Sequence, residues 1–309
     1  MFLCSVFRPP PMTSTISPTP DAATAARHVA ELVDLMQLEA TGEDRFRGCS
    51  ANIGTPAVFG GQVLGQALVA ASRTVPADRA VHSMHAYFLL PGEHAPIDYT
   101  VHRARDGRSF TTRHVIAKQE GREIFEMAAS FQTLDEGIDH QDAMPRAADP
   151  LSQPSELERR IALGDRVPAD FRFRGLVSPG LEIRVMDPPD LLKPQPSPTE
   201  SKIWMRAVAP LPDDPLVHRA LLAYASDNGL LRAAMNPHAL TFFSTKLRVA
   251  SLDHAMWFHR DFRLDDWLLY VVDSPSAQGA RALCRGSVFT RDGRLVATTM
   301  QEGMIRVKT

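Results

Sequence analysis

The sequence predicts an α+β protein made of two similar halves, each with an antiparallel sheet wrapped around one long helix. One observation is a repeated segment, which reads VHSMHAYF at 81–88 and SLDHAMWF at 251–258. A second pair, KQEGR at 118–122 and TRDGR at 290–294, follows in the same order and at nearly the same offset. Because the pairs share an order and an offset, they indicate an internal duplication rather than chance.

The composition is that of an ordinary globular protein. The chain has 309 residues, of which 44% are hydrophobic and 23% are charged, so two domains with sizeable cores are expected. A net charge of -2 argues against a nucleic-acid partner. We see no apolar run long enough for a membrane span. The three widely spaced cysteines favour a reducing compartment and argue against a structural metal, so we expect a cytoplasmic protein.

The first half begins after a segment, residues 1–24, that is rich in Ser, Thr, Pro and Ala and is predicted to be disordered. The N-terminal module is predicted over 25–133. It opens with an amphipathic helix over 25–38 and an extended segment over 49–59, and an apolar helix over 60–72 follows. The strands after this helix are predicted over 81–90, 97–103, 109–118 and 123–133, with glycine-containing turns between them.

The second half repeats this order after a proline-rich linker, residues 134–200, in which we predict a short helix near 154–163 and a strand near 181–185. The C-terminal module is predicted over 201–309. Its elements are predicted as a helix over 215–234 and strands over 202–208, 248–258, 267–273, 280–290 and 295–307.

Three polar residues are candidates for catalysis. Asp227 lies in the most apolar stretch of the second long helix, where a buried carboxylate is costly unless it is paired. It could equally lie on an exposed stripe, or bond locally at a bend before Gly229. Ser251 opens a strand, and Gln301 lies in the last strand on the face of Thr299. No nucleophile elbow, phosphate-binding loop or zinc-protease motif occurs.

Two further groups are candidates for ligand binding. His254 and Trp257 lie in one predicted strand. His254 could act as a general base, although a single strand histidine is more often structural. Arg105, Arg108 and Arg113 surround a glycine-containing turn and could contact phosphate, because guanidinium donors match phosphate oxygens. A solvated basic loop is the alternative.

Together these segments resemble the acyl-CoA thioesterase II family over residues 30–307. The matching runs are FGGQ at 59–62, GRSF at 107–110, LAYASD at 222–227, DHAMWFH at 253–259 and VATTMQEG at 296–303. The resemblance implies a double hotdog fold and hydrolysis of acyl-CoA, with medium- to long-chain acyl groups expected. By motif it implies that Asp227, Ser251 and Gln301 are the catalytic set, with Ser251 at a position that is Thr or Ser in the family and Thr in the bacterial type enzyme.

A thioester is an activated acyl group with a good leaving group, so its hydrolysis needs a positioned water and no metal or other cofactor. We expect Asp227 to accept a proton from this water, with Ser251 and Gln301 orienting it. Backbone N–H groups near Gly60 and Gly61 would stabilise the oxyanion. Direct attack by Asp227, which would give an anhydride, is the alternative mechanism. By analogy with other hotdog proteins, a homo-oligomer, either a dimer or a tetramer, is expected.

Two other functions remain open. Residues 212–218, which include His218, faintly resemble the Asp/His segment of hotdog enoyl-CoA hydratases. A non-catalytic acyl-CoA-binding protein is the other alternative, because one half of a duplicated pair often loses its site. The first half shows no clear acid at the matching places, which read GQV at 61–63 and ASF at 129–131, so we expect one active site per chain.

Overall fold

The computed structural model of the protein describes residues 20–167, 178–244 and 246–307. Its helices are α1 (Ala22–Met36), α2 (Gly60–Ser72), α3 (Glu156–Ala162), α4 (Pro215–Ser226) and α5 (Arg232–Met235). Its strands are β1 (Leu38–Gly42), β2 (Arg45–Gly48), β3 (Arg79–Phe88), β4 (Ile97–Asp106), β5 (Phe110–Gln119), β6 (Arg122–Thr133), β7 (Leu181–Val185), β8 (Ser201–Ala207), β9 (Leu247–Ser251), β10 (Asp253–Phe258), β11 (Leu268–Gln278), β12 (Arg281–Thr290) and β13 (Leu295–Val307).

The strands form one continuous antiparallel sheet. Its order is β1-β2-β4-β5-β6-β3-β10-β13-β12-β11-β8-β7, and β9 also pairs with β13. The two halves of the sheet meet where β3 runs antiparallel to β10, with His85 opposite Ala255. Helix α2 packs against strands of the first half, and α4 bonds to β10 and β11 of the second. The predicted α+β fold, with a large antiparallel sheet and packed helices, is confirmed.

Helices α2 and α4 pack against each other at short range because glycines of α2 face α4. A Cβ at Gly61 would lie 2.2 Å from the backbone oxygen of Tyr224, and one at Gly65 would lie 2.9 Å from that of Ala220. A side chain at either place would force the helices apart. Every α2 residue over 61–71 is buried, so this helix is the centre of the core.

Several elements differ from the sequence prediction. The single helix predicted over 215–234 is instead two helices, α4 and α5, because the chain turns at Gly229 with φ at 82°. The strand predicted over 248–258 is interrupted at Leu252, which separates β9 from β10. Residues 49–59, predicted to be extended, are largely irregular, and the β1–β2 hairpin was not predicted.

The segments outside the two predicted modules are partly described. Of the predicted disordered residues 1–24, residues 1–19 lie outside the described residues, whereas α1 already begins at Ala22. Within the predicted linker 134–200, α3 and β7 lie where a helix and a strand were predicted, and β7 pairs with β8 as the outermost strand of the second half. No helix in the described part of the chain is long and apolar enough to cross a membrane.

Candidate active site

Three elements of the C-terminal half bring Asp227, Ser251 and Gln301 together. Asp227 is the C-cap of α4, Ser251 ends β9, and Gln301 lies within β13. Gln301 Nε2 donates to Asp227 Oδ1 at 3.1 Å and to Ser251 Oγ at 2.5 Å. Ser251 Oγ donates to the same Asp227 Oδ1 at 3.4 Å. The three residues that the resemblance singled out therefore form one hydrogen-bonded cluster.

The position of Asp227 follows from how α4 begins and ends. Pro215 occupies the first turn, and the Asp214 side chain accepts from Leu216 N at 2.9 Å, which fixes the start of the helix. The helix stops shortly before Gly229, whose left-handed backbone redirects the chain. Asp227 therefore lies at a helix end beside the sheet, where its carboxylate can reach β9 and β13.

An extra residue in the β9–β10 strand puts two polar side chains on the same face. Ser251 lies opposite Gly303, whereas Ala255 lies opposite Met300, so the strand gains one residue relative to β13 at Leu252. Side chains of a regular strand alternate between faces, and residues 251 and 254 would then point in opposite directions. The bulge turns both Ser251 and His254 towards the helices.

The two carboxylate oxygens of Asp227 have different surroundings. Among the described residues, the hydrogen bonds to this side chain reach Oδ1. Oδ2 lies beside the first residue of α2, because a Cβ built at Gly60 would be 2.8 Å from Oδ2 and 2.9 Å from Phe88 Cε1. The first N–H groups of a helix have no partner inside it, and Phe59 provides no side-chain cap. Donors for an oxyanion are thus near Oδ2.

His254 supports the cluster from inside the protein. Its Nδ1 lies 2.9 Å from Gln301 Oε1 and its Nε2 lies 3.0 Å from Ser226 Oγ. The side chain is 0% exposed, and this burial lowers its pKa although the charge of Asp227 acts in the opposite direction. His254 was predicted to contact substrate or CoA, but the structure places both of its ring nitrogens in hydrogen bonds within the core.

Trp257 was also predicted to contact the ligand, and the structure does not bring it to the site. It lies three positions after His254 in β10, so strand alternation directs it to the opposite, outer face of the sheet. There its ring packs edge-on against His85, with 5.0 Å between the ring centroids. The structure therefore does not bring Trp257 together with Asp227, Ser251 and Gln301.

The predicted phosphate-binding arginines are also distant from Asp227. Arg105 and Arg108 lie at the β4–β5 turn, where Arg79 donates to the Arg108 backbone oxygen. Arg79 begins β3 and Phe88, beside Asp227, ends it, so the separation along the strand is about 30 Å at ~3.3 Å per residue. The structure therefore does not bring Arg105 and Arg108 to the Asp227 site of the same chain.

Arg113 has a structural role. It is 1% exposed, and its guanidinium donates to Thr74 Oγ1 at 2.9 Å, to Thr74 O at 3.0 Å and to Asp106 Oδ1 at 2.7 Å. A buried cation needs such partners, and these contacts leave it no path to a phosphate. Arg113 was predicted to bind CoA, but the structure places its guanidinium in the core and not beside Asp227.

Two residues of the site were missed by sequence reasoning. Phe88 lies against Gly60 and packs on Phe125 with 5.4 Å between centroids, so it forms one wall beside Asp227 Oδ2. Ser226 directly precedes Asp227 and bonds to His254. The signals were present, because Phe88 ends the repeated segment and Ser226 belongs to the matching run before Asp227.

The segment that favoured a hydratase lies elsewhere. His218 is buried in the first turn of α4, where its Nδ1 accepts from Leu264 N at 3.0 Å. Asp227 follows the other end of this helix, about 14 Å away at ~1.5 Å rise per residue. His218 therefore does not share a site with Asp227.

The fold defines the class of protein. A solved structure from Alicyclobacillus acidocaldarius, titled a conserved protein of unknown function with hot dog fold, is similar with a TM-score of 0.71 at 19% identity, covering 90% of this chain and 99% of that one. At this identity the likeness shows the fold alone. The protein therefore has a hotdog α+β fold, which agrees with the sheet wrapped around helices.

The family follows from sequence. The model described as acyl-CoA thioesterase matches residues 185–304, and that described as the acyl-CoA thioesterase N-terminal domain matches residues 48–132. Acyl-CoA thioesterase 2 of Haemophilus influenzae is 37% identical over 89% of this chain and 96% of its own length. The chain belongs to the acyl-CoA thioesterase family.

Two further relatives agree with this assignment. Acyl-coenzyme A thioesterase 8 of Mus musculus is 38% identical over 90% of this chain and 89% of its own length. The crystal structure of acyl-CoA thioesterase II TesB2 from Mycobacterium marinum is 44% identical, with a TM-score of 0.72, and covers 89% of this chain and 98% of that one. The likeness therefore extends across both halves.

Proposed function

We propose that the protein hydrolyses acyl-CoA thioesters to a carboxylic acid and free CoA, with Asp227 as the base that activates water. The observation that carries the proposal is the cluster of Asp227, Ser251 and Gln301. Two donors hold Asp227 Oδ1, which leaves Oδ2 to accept a proton beside the start of α2. Because the chain belongs to the acyl-CoA thioesterase family, its relatives support the same reaction.

The reaction follows from this arrangement. Asp227 Oδ2 takes one proton of a water molecule as its oxygen forms a bond to the thioester carbonyl carbon. The carbonyl electrons move to oxygen, where the first N–H groups of α2, near Gly60 and Gly61, stabilise the negative charge. The tetrahedral intermediate then collapses, the C–S bond breaks, and CoA leaves as a thiolate. The proton held by Asp227 passes to this thiolate or to solvent, which restores the carboxylate.

Asp227→Asn tests the proposal, because it keeps the shape of the side chain and removes the base. Thiol release from acyl-CoA should fall by about 10²- to 10⁴-fold, the usual contribution of a positioned general base. The matched control is Asp273→Asn, which removes a carboxylate from a half-exposed ion pair with Arg285 in the same half of the protein. The control should keep the parent rate. A near-parent rate in Asp227→Asn, with the fold intact, would refute the assignment.

The acyl-chain range is part of the proposal. We propose medium- to long-chain acyl groups over a broad range. A thiol-release screen with acyl-CoA substrates of increasing chain length tests this, and a maximum at acetyl-CoA would contradict it.

We also propose that the chain is a double hotdog, with modules over 25–133 and 201–309 separated by a linker, and that it forms a cytoplasmic dimer or tetramer. Large side chains on the outer face of the sheet support association, since Tyr87 is 56% exposed and Met300 is 37% exposed. Light scattering after size exclusion measures the mass, and a monomer at micromolar concentration would contradict the oligomer. Cell fractionation tests the location.

A further inference from the structure

We propose that His254 is a positioning residue, which fixes the side-chain amide of Gln301 so that both of its N–H groups face Asp227 and Ser251 throughout the reaction. The proposal rests on the function proposed above. It assigns to His254 a role in rate, exerted through Gln301, and no contact with substrate.

The orientation of the amide follows from its partners. Gln301 Nε2 bonds to Asp227 Oδ1 at 3.1 Å and to Ser251 Oγ at 2.5 Å, which uses both amide hydrogens. The reversed amide would place its carbonyl oxygen against the carboxylate, where two acceptors repel. Gln301 Oε1 is therefore the atom that lies 2.9 Å from His254 Nδ1. Because Oε1 can only accept, Nδ1 of His254 carries the hydrogen.

Ser226 lies at the other nitrogen of the imidazole. Burial favours the neutral form of His254 by lowering its pKa, so the ring carries one hydrogen, which is on Nδ1. Nε2 is then an acceptor, 3.0 Å from Ser226 Oγ, and the single hydroxyl hydrogen of Ser226 is within reach of both Nε2 and the Ala223 backbone oxygen, also at 3.0 Å. Ser226 and Asp227 are adjacent in the chain, so the contacts run from Ser226 through His254 and Gln301 back to Asp227 in a closed ring.

This closed set of hydrogen bonds matters at the step where Asp227 becomes protonated. In the resting enzyme the charge of Asp227 already favours an amide N–H beside it. Once Asp227 has taken the proton of water on Oδ2, its charge is lost and Oδ1 is a neutral acceptor, so the preference for an amide N–H beside it weakens. The N–H of His254 keeps Oε1 engaged at this moment. The amide therefore stays in place for the collapse of the intermediate and for the next turnover.

The kinetic consequence is specific. His254 is 0% exposed and lies behind Gln301, so its loss should leave KM within about threefold of the parent value. A catalytic group misplaced by about 1 Å commonly loses 10²-fold in rate, so kcat should fall by about 10- to 100-fold. His254→Leu retains bulk without a donor. His254→Asn retains an N–H donor at the atom next to Cγ, where Nδ1 stands, and should recover most of kcat.

The test is a double-mutant cycle of His254→Leu with Gln301→Ala, measured by thiol release from a medium-chain acyl-CoA. If His254 acts through Gln301, His254→Leu lowers kcat in the parent and changes it by less than about threefold when Gln301 is already alanine. Equal losses in both backgrounds, or failure of His254→Asn to recover activity, would overturn the proposal. If His254→Leu does not fold, the same cycle is run with Ser226→Ala, with the same two outcomes.

His218→Leu is the matched control. His218 is also a buried histidine in the C-terminal half and bonds to Leu264 N, but it lies at the other end of α4. This variant should lose stability without a selective fall in kcat. Lack of thiol release by the parent protein would contradict the proposed function itself, whereas additive losses in an active enzyme contradict the role of His254 alone.

Discussion

The proposed role of Asp227 as the base fits the different surroundings of its two carboxylate oxygens. Oδ1 is held by Gln301 and Ser251, which fixes the plane of the carboxylate. Oδ2 lies by Gly60 and Phe88, on the side where a thioester carbonyl would reach the first N–H groups of α2. A carboxylate held on one edge costs no reorganisation when it accepts a proton on the other.

Position 60 requires glycine, because any side chain there would enter the space beside the Asp227 carboxylate. In Gly60→Ala the new Cβ would lie 2.8 Å from Asp227 Oδ2 and 2.9 Å from Phe88 Cε1, so at least one side chain must move. We expect kcat to fall by at least about tenfold, since small displacements of a reacting group are costly. Steady-state kinetics with a medium-chain acyl-CoA measure the change.

The control for this prediction is Gly42→Ala, where a Cβ would approach nothing closer than 3.7 Å. It should keep the parent kcat. Thermal unfolding distinguishes a local effect from a global one, because the flexible ends of Asp227 and Phe88 can yield without unfolding the core. Parent-like kcat in Gly60→Ala would show that the start of α2 is not part of the reaction space.

The sequence alone predicted the positions of some of these residues in the site but not those of others, and the difference has a physical reason. Asp227 and Gln301 could be found because short motifs surround them. The role of His254 could not, because its direction depends on the bulge at Leu252, which inverts the alternation of the strand. The burial of Arg113 was hidden as well, since its main partner, Thr74, lies far away in sequence. Short motifs can be found in the local sequence, whereas contacts between residues that are distant in the sequence depend on how the chain packs.

At the scale of elements, α3 is attached to α5 by a buried ionic cluster. Glu156 Oε1 lies 3.2 Å from Arg160 Nε and 3.6 Å from Arg232 Nη2, and Glu156 Oε2 lies 3.1 Å from Arg159 Nη1. Burial acts to raise the pKa of Glu156, but the three arginines outweigh it and lower the pKa to about 2. Because α5 directly follows the turn at Gly229, this cluster also holds the segment after Asp227.

Glu156→Gln should destabilise the protein, because it leaves three guanidinium groups around a neutral amide. The pKa of Glu156 is depressed from 4.5 to about 2 in the folded state, so its stabilisation is present above pH ~4.5 and is lost as the pH falls towards ~2. The shift corresponds to roughly 3 kcal/mol at neutral pH. Urea unfolding of both proteins at pH 7 and pH 3 measures the difference, which should be large at pH 7 and smaller at pH 3.

Asp98→Asn is the control for the buried cluster. Asp98 pairs with Arg47 at 2.7 Å on the surface, where both side chains are about half exposed. Such a pair contributes about 0–1 kcal/mol, so the control should change unfolding little at either pH. An equal cost of Glu156→Gln at pH 7 and pH 3 would show that packing, and not charge, holds α3 in place.

At the scale of the molecule, the proposed duplication is supported by two bulges, which relate the two halves residue by residue. The pairing of β3 with β6 shifts after Val81, which lies opposite Phe131. The pairing of β9 and β10 with β13 shifts in the same way after Ser251, which lies opposite Gly303. Val81 therefore corresponds to Ser251, and Phe131 corresponds to Gly303. The two halves share a backbone irregularity, which local sequence identity alone could only suggest.

This correspondence shows why only one half has the catalytic side chains. Two positions before Phe131 lies Ala129, which therefore takes the place of Gln301. The C-cap of α2 is Arg73, where α4 has Asp227. The first half thus has Arg73, Val81 and Ala129 where the second has an acid, a hydroxyl and an amide, and it lacks the means to activate water by the same route.

The equivalent space in the first half is also occupied. Arg113 lies opposite Ala129 in the sheet, as Cys284 lies opposite Gln301. Its long side chain reaches Thr74, the residue after the C-cap of α2, and bonds to both the hydroxyl and the backbone oxygen. A buried guanidinium thus stands where the second half has its site, and it closes the region to a ligand.

We therefore predict one acyl-CoA site per chain, whatever the number of chains in the assembly. Calorimetric titration of the Asp227→Asn variant with a thioether analogue of a medium-chain acyl-CoA, whose C–S bond cannot be hydrolysed, measures the stoichiometry. One equivalent per chain is expected, because Arg113 fills the region related to the active site by the duplication. Two equivalents of similar affinity would contradict this, since they would require the first half to open where the structure is packed.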